Sequence, residues 1–223
     1  MNTDSLSTEN ALRKAMTAYG ELLYAQGLLT GASGNISTRL DAHRILITPG
    51  GCHKGMLTAS ELVVIDMKSG KVLSEGSAMP SSELRMHTYI YAQQPAVQAV
   101  IHAHPPYVVA LGIAGVSLEK AILPESVLAL GSIADCGYAT PTTDAVVEAI
   151  MTPVQSGAKA LVLDRHGSVT MGSNLHEAFC RLETLEHLAK VVAIAGSLNE
   201  IEGLPADEIK KLQKLSTDYK KTK

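Results

Sequence analysis

The sequence predicts an α/β protein, or a mixed α+β one, in which strands and helices pack in layers. Short apolar segments of strand length alternate along the chain with longer segments in which apolar residues have helical spacing. Apolar residues make up 46% of the 223 residues and charged residues 18%, which is typical of a globular chain with a sizeable core. The sequence contains no internal repeat or linker. We therefore expect a single domain over residues 1–223, with its core at about residues 8–197 and a helical tail at residues 198–223.

The first half of the chain contains two predicted helices and several strands. Residues 8–26 have helical periodicity and are followed by Gly27, which suits a helix C-terminus. Strands are predicted after a glycine-rich turn at residues 31–37, and at residues 44–48 and 62–66 between turn sequences. A second helix is predicted to begin at Pro80, because proline and the serines after it suit a cap and first turn. It ends before Pro95.

The second half begins with an apolar strand at residues 97–103. Pro105 and Pro106 end this strand and start a short helix to about Leu111. Further strands are predicted at the apolar residues 158–163 and, after a turn, at residues 167–171. Further helices are predicted at residues 143–155, from a cap at Asn174 to about Ala195, and from Pro205 in a charged segment.

Composition excludes several classes of protein. The net charge of -3 and the pI of about 6.2 give no basic excess for nucleic acid or acidic membranes. The longest apolar runs are too short for a membrane span. Residues 1–10 are polar and unlike a signal peptide, and the three cysteines are too scattered for a disulfide framework. We therefore expect a cytoplasmic enzyme or binding protein without a nucleic-acid or membrane partner.

Residues 101–105 carry the strongest site signal, because His102 and His104 are separated by one residue. Side chains on a strand repeat every two residues, so both imidazoles project from one face, close enough to share a cation. Zinc binds imidazole nitrogen and keeps an open position when the protein supplies three ligands. A pair at this spacing is also compatible with a structural role. Its position at the end of an apolar strand favours a site.

A third metal ligand would have to come from elsewhere, and His166 is the best candidate. It follows the strand at residues 158–163 and so lies at another strand end. A turn histidine bonded to the backbone is the alternative interpretation. His87 lies four residues after Glu83 on one helix face, and is either a partner of the site or a packed histidine. Weaker candidates lie in predicted loops or on the long helix: His43, His53, His176 and His187.

The predicted helix start at residues 80–83 is a candidate anion site. Free backbone N–H groups and the positive end of the helix dipole favour an anion there, and the hydroxyl groups of Ser81 and Ser82 add donors. Glu83 at the same position is either an ordinary helix-start residue or a functional carboxylate. Turns at residues 31–35 and 50–51 could also direct N–H groups at an anion, although such glycine turns are common.

Six short segments occur in a fixed order along most of the chain. They lie at residues 34–37, 47–51, 80–83, 102–104, 138–140 and 166–167. Each segment alone is a weak signal, but the ordered set resembles the class II aldolase family. That family includes fuculose-phosphate aldolase, to which the resemblance is greatest, ribulose-phosphate 4-epimerase and the adducin head domain. The resemblance runs from about residue 21 to residue 195.

The resemblance implies a role for several residues of this chain. His102, His104 and His166 would bind one Zn²⁺ or another divalent metal per subunit. Glu83 would be the catalytic base. The phosphate group of the substrate would be bound by Asn35, Gly51, Ser81 and Ser82. The resemblance also implies a three-layer α/β/α sandwich around a mixed, mainly antiparallel sheet, and a homotetramer with its sites between subunits.

The activity implied is reversible retro-aldol cleavage of a ketose 1-phosphate, of the L-fuculose, 5-deoxyribulose or 5-methylthioribulose type. The products would be dihydroxyacetone phosphate and an aldehyde. The alternatives are 4-epimerisation, decarboxylation of a 3-oxo-tetronate 4-phosphate, dehydration of methylthioribulose 1-phosphate, and a non-catalytic adducin-like role. Glu83 argues against the epimerase, which by resemblance has aspartate at this position. The complete set of histidines and Glu83 argues against the non-catalytic role.

The chain departs from the family's aldolases at residues 123–125. Those aldolases have a tyrosine acid in the aligned region, and this chain has none there. Glu125 is the nearby group able to transfer a proton, so it is our candidate for a substitute catalytic acid. The alternative interpretation of Glu125 is a solvated loop carboxylate.

Overall fold

The computed structural model describes residues 3–221 except residues 75 and 77. The centre of this part of the chain is a seven-stranded sheet with the order β3-β2-β1-β4-β7-β6-β5. The strands are β1 (Asn35–Arg39), β2 (Arg44–Ile47), β3 (Val63–Asp66), β4 (Ala99–Ala103), β5 (Ile133–Cys136), β6 (Ala160–Leu163) and β7 (Gly167–Gly172). The β5–β6 pair is parallel and the other neighbouring pairs are antiparallel. The expected mixed, mainly antiparallel sheet is confirmed.

Helices cover both faces of the sheet. They are α1 (Thr3–Ala25), α2 (Leu84–Gln93), α3 (Pro106–Ile113), α4 (Pro124–Leu130), α5 (Asp144–Gln155), α6 (Leu175–Leu198) and α7 (Ala206–Lys221). Buried residues of α2 and α5 pack against one face of the sheet. Buried residues of α1, α3 and α6 pack against the other. The three-layer α/β/α arrangement is therefore also confirmed.

Alternation along the strands explains why both faces are covered. On β2, the side chains of Ile45 and Ile47 enter the core formed with α2 and α5, whereas Leu46 enters the core formed with α1 and α6. All three side chains are fully buried. A strand that is apolar on both faces needs a layer of helices on each side.

Most predicted elements lie within a few residues of the observed ones. The end predicted for α1 is confirmed, since Gly27 has a φ of 72° and the N–H of Leu28 bonds the carbonyl of Leu23. Among the α-helices and strands, two were not predicted, α4 and β5. The seven residues of α4 are too few to show a helical period, and β5 is a half-exposed edge strand without apolar alternation. Helix α7 packs against α4.

Within residues 3–221, apart from residues 75 and 77, no helix combines the length and apolar character needed to cross a membrane.

Candidate metal centre and active site

Three histidines meet at one end of the sheet. His102 lies on β4, His104 follows directly after β4, and His166 lies in the turn between β6 and β7. Because β4 pairs with β7, the end of β4 is adjacent to this turn. The ring centroids are 4.7 to 4.9 Å apart, and one nitrogen of each ring lies within 4.8 Å of the others. The structure therefore brings together the three residues that the sequence suggested as metal ligands.

Two glycines make this close approach sterically feasible. A β-carbon at Gly167 would lie 2.3 Å from the carbonyl oxygen of Ala103 and 2.9 Å from Cδ2 of His104. A β-carbon at Gly34 would lie 2.7 Å from the carbonyl oxygen of His102, and Gly34 has a φ of 68°. The backbone at the C-terminal end of β4 is thus packed too tightly against its neighbours on both sides for any side chain at these two positions.

The turn that presents His166 has an unusual backbone. Arg165 has a φ of 56°, a left-handed conformation that is uncommon outside glycine. The N–H of His166 donates to the carbonyl of Leu163 and closes the turn. This conformation reverses the chain between two paired strands and directs the His166 ring to the other two histidines.

The histidines can be unprotonated ligands near neutral pH. Nδ1 of His102 lies 2.9 Å from the carbonyl oxygen of Ser168, and since a carbonyl only accepts, Nδ1 carries the hydrogen. Burial lowers the pKa of His104 to about 4. Burial also lowers the pKa of His166. Metal ligation requires this neutral form of imidazole.

Glu83 completes the cluster from the opposite side. It is the N-cap residue of α2, which begins at Leu84 rather than at Pro80 as predicted. Its Oε2 accepts a hydrogen bond of 2.8 Å from Nδ2 of Asn35 and lies 3.0 Å from Nε2 of His102. Burial raises the pKa of Glu83, but the interactions with His102 and Asn35 outweigh this effect and hold the pKa at about 2. Glu83 is therefore a carboxylate.

The arrangement of lone pairs fits a bound cation. Nδ1 of His102 donates to the backbone, so Nε2 is the nitrogen that faces the cluster, and it lies 3.0 Å from Nε2 of His104 and 3.0 Å from the Glu83 carboxylate. The other carboxylate oxygen, Oε1, is buried without a hydrogen bond and lies 3.5 Å from Nε2 of His166. When all three imidazoles are neutral, as metal ligation requires, these acceptor atoms face one another, which is unfavourable unless a cation lies between them. Three imidazoles and one carboxylate are a suitable donor set for Zn²⁺.

Asn35 is positioned by a chain of buried hydrogen bonds behind it. Because its Oδ1 only accepts, the contact with Nε2 of His87 has that nitrogen as donor. Nδ1 of His87 then accepts from the Ser37 hydroxyl at 2.6 Å, and Ser37 in turn accepts from the Tyr91 hydroxyl at 2.9 Å. Burial lowers the pKa of His87 to about 3, so the ring is neutral. The chain of donors from Tyr91 fixes the Asn35 amide group that holds Glu83.

The sequence left two interpretations for His87 and did not identify Ser37 or Tyr91 as part of the site. A signal was present, since residues 83, 87 and 91 share one face of a helix at a spacing of four residues. Ser37 also follows Asn35 by two residues on β1, so both face the same side of the sheet.

The predicted phosphate-binding residues lie on three segments, two of which are paired. The N–H of Ser81 donates to the carbonyl of Thr48, and the N–H of Gly50 donates to the carbonyl of Met79. This pairing places the Gly51 turn next to Ser81 and Ser82, of which Ser82 is exposed. The side-chain amide of Asn35, in contrast, is engaged by Glu83 and His87. The phosphate contacts stay a prediction.

Glu125 is not brought to the cluster within this chain. It lies exposed in the first turn of α4, a helix that packs against α6 and α7. In the described part of the chain it forms no hydrogen bond or ion pair with Glu83 or the three histidines. The structure of this chain thus brings together the candidate metal ligands and Glu83 without the candidate substitute acid.

Comparison with known proteins gives consistent matches. The family model described as Class II Aldolase and Adducin N-terminal domain matches residues 14–193. A 3-oxo-tetronate 4-phosphate decarboxylase from Pectobacterium atrosepticum is 34% identical, covering 93% of this chain and 95% of its own. An L-fuculose phosphate aldolase from Methanococcus vannielii is also 34% identical, covering 80% of this chain and 94% of its own. The solved structure of an L-fuculose 1-phosphate aldolase has a TM-score of 0.83 at 28% identity, covering 99% and 98% of the two chains.

Proposed function

The chain belongs to the class II aldolase and adducin family, and we propose that it is a zinc-dependent lyase that breaks a carbon–carbon bond in a small phosphorylated substrate. The observation that carries this proposal is the convergence of His102, His104 and His166 with the ionised Glu83. A non-catalytic role would not require a carboxylate held beside an open three-histidine cluster.

Each group of residues in this site has a separate role in the proposed reaction. The three imidazoles would hold a divalent metal, which when bound supplies a Lewis acid for the ketone of the substrate. Glu83 would carry the proton at the carbon beside that ketone, accepting it in one direction and returning it in the other. Asn35 and His87 keep the Glu83 carboxylate in one orientation, so little reorganisation is needed during the reaction.

The two reactions named among the relatives share the same three-carbon product and the same intermediate. Cleavage of L-fuculose 1-phosphate and loss of CO₂ from a 3-oxo-tetronate 4-phosphate both pass the electrons of the broken bond to the adjacent ketone. Both produce the enediolate of dihydroxyacetone phosphate, which then takes up one proton on carbon. The two reactions differ in the fragment that leaves. An aldehyde leaves only after a hydroxyl group has lost its proton, whereas CO₂ leaves a carboxylate without any proton transfer.

We propose decarboxylation of a 3-oxo acid phosphate as the first candidate. It is supported by the absence of tyrosine at residues 123–125 and by the exposed position of Glu125, away from the cluster in this subunit. Aldol cleavage of a ketose 1-phosphate is the second candidate, and the aldolase relatives favour it. It would need a proton-transfer group from a neighbouring subunit in the proposed homotetramer. The exposed Met56 and Met79 near the Gly51 turn are apolar surface that such an assembly would cover.

One assay separates the two candidates. Purified enzyme with Zn²⁺ would be incubated with 3-oxo-tetronate 4-phosphate and, in parallel, with L-fuculose 1-phosphate, and dihydroxyacetone phosphate and CO₂ would be measured. We expect dihydroxyacetone phosphate to be released faster from 3-oxo-tetronate 4-phosphate than from L-fuculose 1-phosphate. A higher kcat/KM with the fuculose phosphate would reject decarboxylation, and no product from either substrate, with metal bound, would reject the lyase proposal.

Paired variants test the roles of the two glutamates. Glu83→Gln should retain the metal and lower kcat by roughly two to four orders of magnitude, the usual contribution of a general base. Glu125→Gln is the matched control, and in a decarboxylase it should change kcat less than about threefold, since no acid is needed at the leaving group. A loss as large as that of Glu83→Gln would instead indicate an aldolase acid at Glu125.

A further inference from the structure

Lys54 is a buried lysine close to the candidate site. It begins a short 3₁₀ helix, Lys54–Met56, and is 2% exposed. Its Nζ donates to the carbonyl oxygens of Ala32, at 2.7 Å, and Cys52, at 3.0 Å. Ala32 belongs to the glycine-rich turn before β1, and Cys52 directly follows Gly51. One ammonium group therefore connects the two glycine-rich turns beside the metal cluster.

The charge of Lys54 has no counter-ion in the described part of the chain. No carboxylate comes within ion-pair distance of its Nζ among these residues, and the two carbonyls accept two of its three hydrogens. Burying a charge without a partner of opposite sign is unfavourable. Burial accordingly lowers the pKa of Lys54, while Cys52 and, across the site, Glu83 act in the opposite sense. A buried cation of this kind suits a site that receives an anion.

The backbone at Lys54 is held firmly in place. Helix α1 packs directly against the short helix, and a β-carbon at Gly20 would lie 2.5 Å from the carbonyl oxygen of Lys54. On the same surface, a β-carbon at Gly55 would lie 2.7 Å from the side chain of Tyr24. The ammonium group is thus fixed by close packing at its root and by two hydrogen bonds at its tip, unlike a flexible surface lysine.

We propose that Lys54 is part of the substrate-phosphate site, where its ammonium group joins the two turns and supplies the positive charge that a phosphate monoester dianion neutralises. This inference rests on the proposed function, because it assumes a phosphorylated substrate. It adds a cation to a site whose other candidates, Gly51, Ser81 and Ser82, are neutral donors. Phosphate sites commonly combine backbone N–H groups with one lysine point charge.

The test compares phosphate binding by three variants loaded with Zn²⁺. Lys54→Met removes the charge and keeps the length of the side chain, Lys54→Arg keeps the charge, and Lys68→Met removes an exposed lysine as the control. Calorimetry with inorganic phosphate gives the dissociation constant without any turnover. We expect Lys54→Met to weaken phosphate roughly ten- to a hundredfold, the range for a hydrogen bond to a charged group, and Lys68→Met to leave it unchanged.

Further measurements separate charge from mere structural support. Lys54→Met should retain its metal and raise KM for the phosphorylated substrate more than it lowers kcat. Lys54→Arg should restore most of the phosphate affinity. Unchanged phosphate affinity in folded Lys54→Met would overturn the proposal. If that variant does not fold, a structure of the wild-type enzyme with phosphate decides: contact with Nζ supports the proposal, and phosphate bound elsewhere overturns it.

Failure of the proposed function would look different. If no substrate yields dihydroxyacetone phosphate but Lys54→Met still loses affinity for inorganic phosphate, the lyase proposal fails and the role of Lys54 stands. If product forms normally and phosphate affinity is independent of Lys54, the lyase proposal stands and the role of Lys54 is rejected.

Discussion

Replacing Gly167 with alanine tests whether the geometry of the three-histidine cluster depends on the close contact between β4 and β7. The new β-carbon would lie 2.3 Å from the carbonyl oxygen of Ala103, which is 1.1 Å short of the 3.4 Å where ordinary contact begins. It would also lie 2.9 Å from the ring of His104 and 3.2 Å from that of His102. The carbonyl belongs to the backbone and cannot rotate away, so the β4 and β7 backbones have to separate.

Two opposing effects set the size of the change in stability. Alanine restricts the unfolded chain more than glycine does, which alone would stabilise the protein by about 0.4 to 1 kcal/mol. Forcing extra volume into a packed site costs about 1 to 3 kcal/mol. We therefore expect Gly167→Ala to lower the free energy of unfolding by about 1 to 2 kcal/mol in the presence of a chelator. A ligand displaced by about 1 Å should also lower turnover about a hundredfold.

Gly137→Ala is the matched control, because a β-carbon at Gly137 has open space around it. Urea unfolding with a chelator gives the stability, competition with a metal indicator gives the Zn²⁺ affinity, and product release gives kcat. We expect the control to match the wild type in all three. If Gly167→Ala bound Zn²⁺ within twofold of the wild type and kept its turnover, the steric reasoning for this contact would be refuted.

Three further predictions concern the groups around the cluster. Asn35→Ala removes the hydrogen bond to Glu83 and should lower kcat about ten- to a hundredfold at normal metal content, as for other outer groups of metal sites; a normal kcat would argue against the positioning role. Because the pKa of His87 is lowered to about 3, its contribution to stability is complete above the unfolded value of 6.5 and declines as the pH falls. By pH 5 the loss from this residue should be about 2 kcal/mol, measured by urea unfolding, and a His87→Gln variant with the same pH dependence would contradict this assignment. Arg165→Val places a β-branched residue at a positive φ and should destabilise by about 1 kcal/mol relative to Arg165→Gly in the same assay, and equal stability would exclude strain at this turn.

The parts of the site within one element were accessible to sequence reasoning. The two-residue spacing of His102 and His104 indicated one face of a strand, and the apolar run before each histidine indicated a strand end. The meeting of His166 with the pair depends instead on β7 lying beside β4, which no local pattern specifies. The same holds for Asn35 on β1 and His87 on α2, which are joined only by packing between layers.

The position of Glu125 could not be predicted from the local sequence. Helix α4 and strand β5 are short and lie at the periphery of the chain, so neither has a complete apolar pattern. The position of Glu125 relative to the cluster is therefore decided by tertiary packing, and in the proposed assembly also by neighbouring subunits.

The tight packing around the histidines has a consequence for how this enzyme can diverge. Gly34 and Gly167 admit no side chain, and each donor in the chain that ends at Glu83 is already committed to one acceptor. A random substitution in this centre is therefore expected to abolish activity rather than to change the substrate that the enzyme accepts. Exchange of the exposed residues of α4, by contrast, is expected to change stability little. Relatives that act on a substrate with a different leaving group should therefore keep the residues of this centre unchanged. Their sequences should differ mainly at exposed residues around the site.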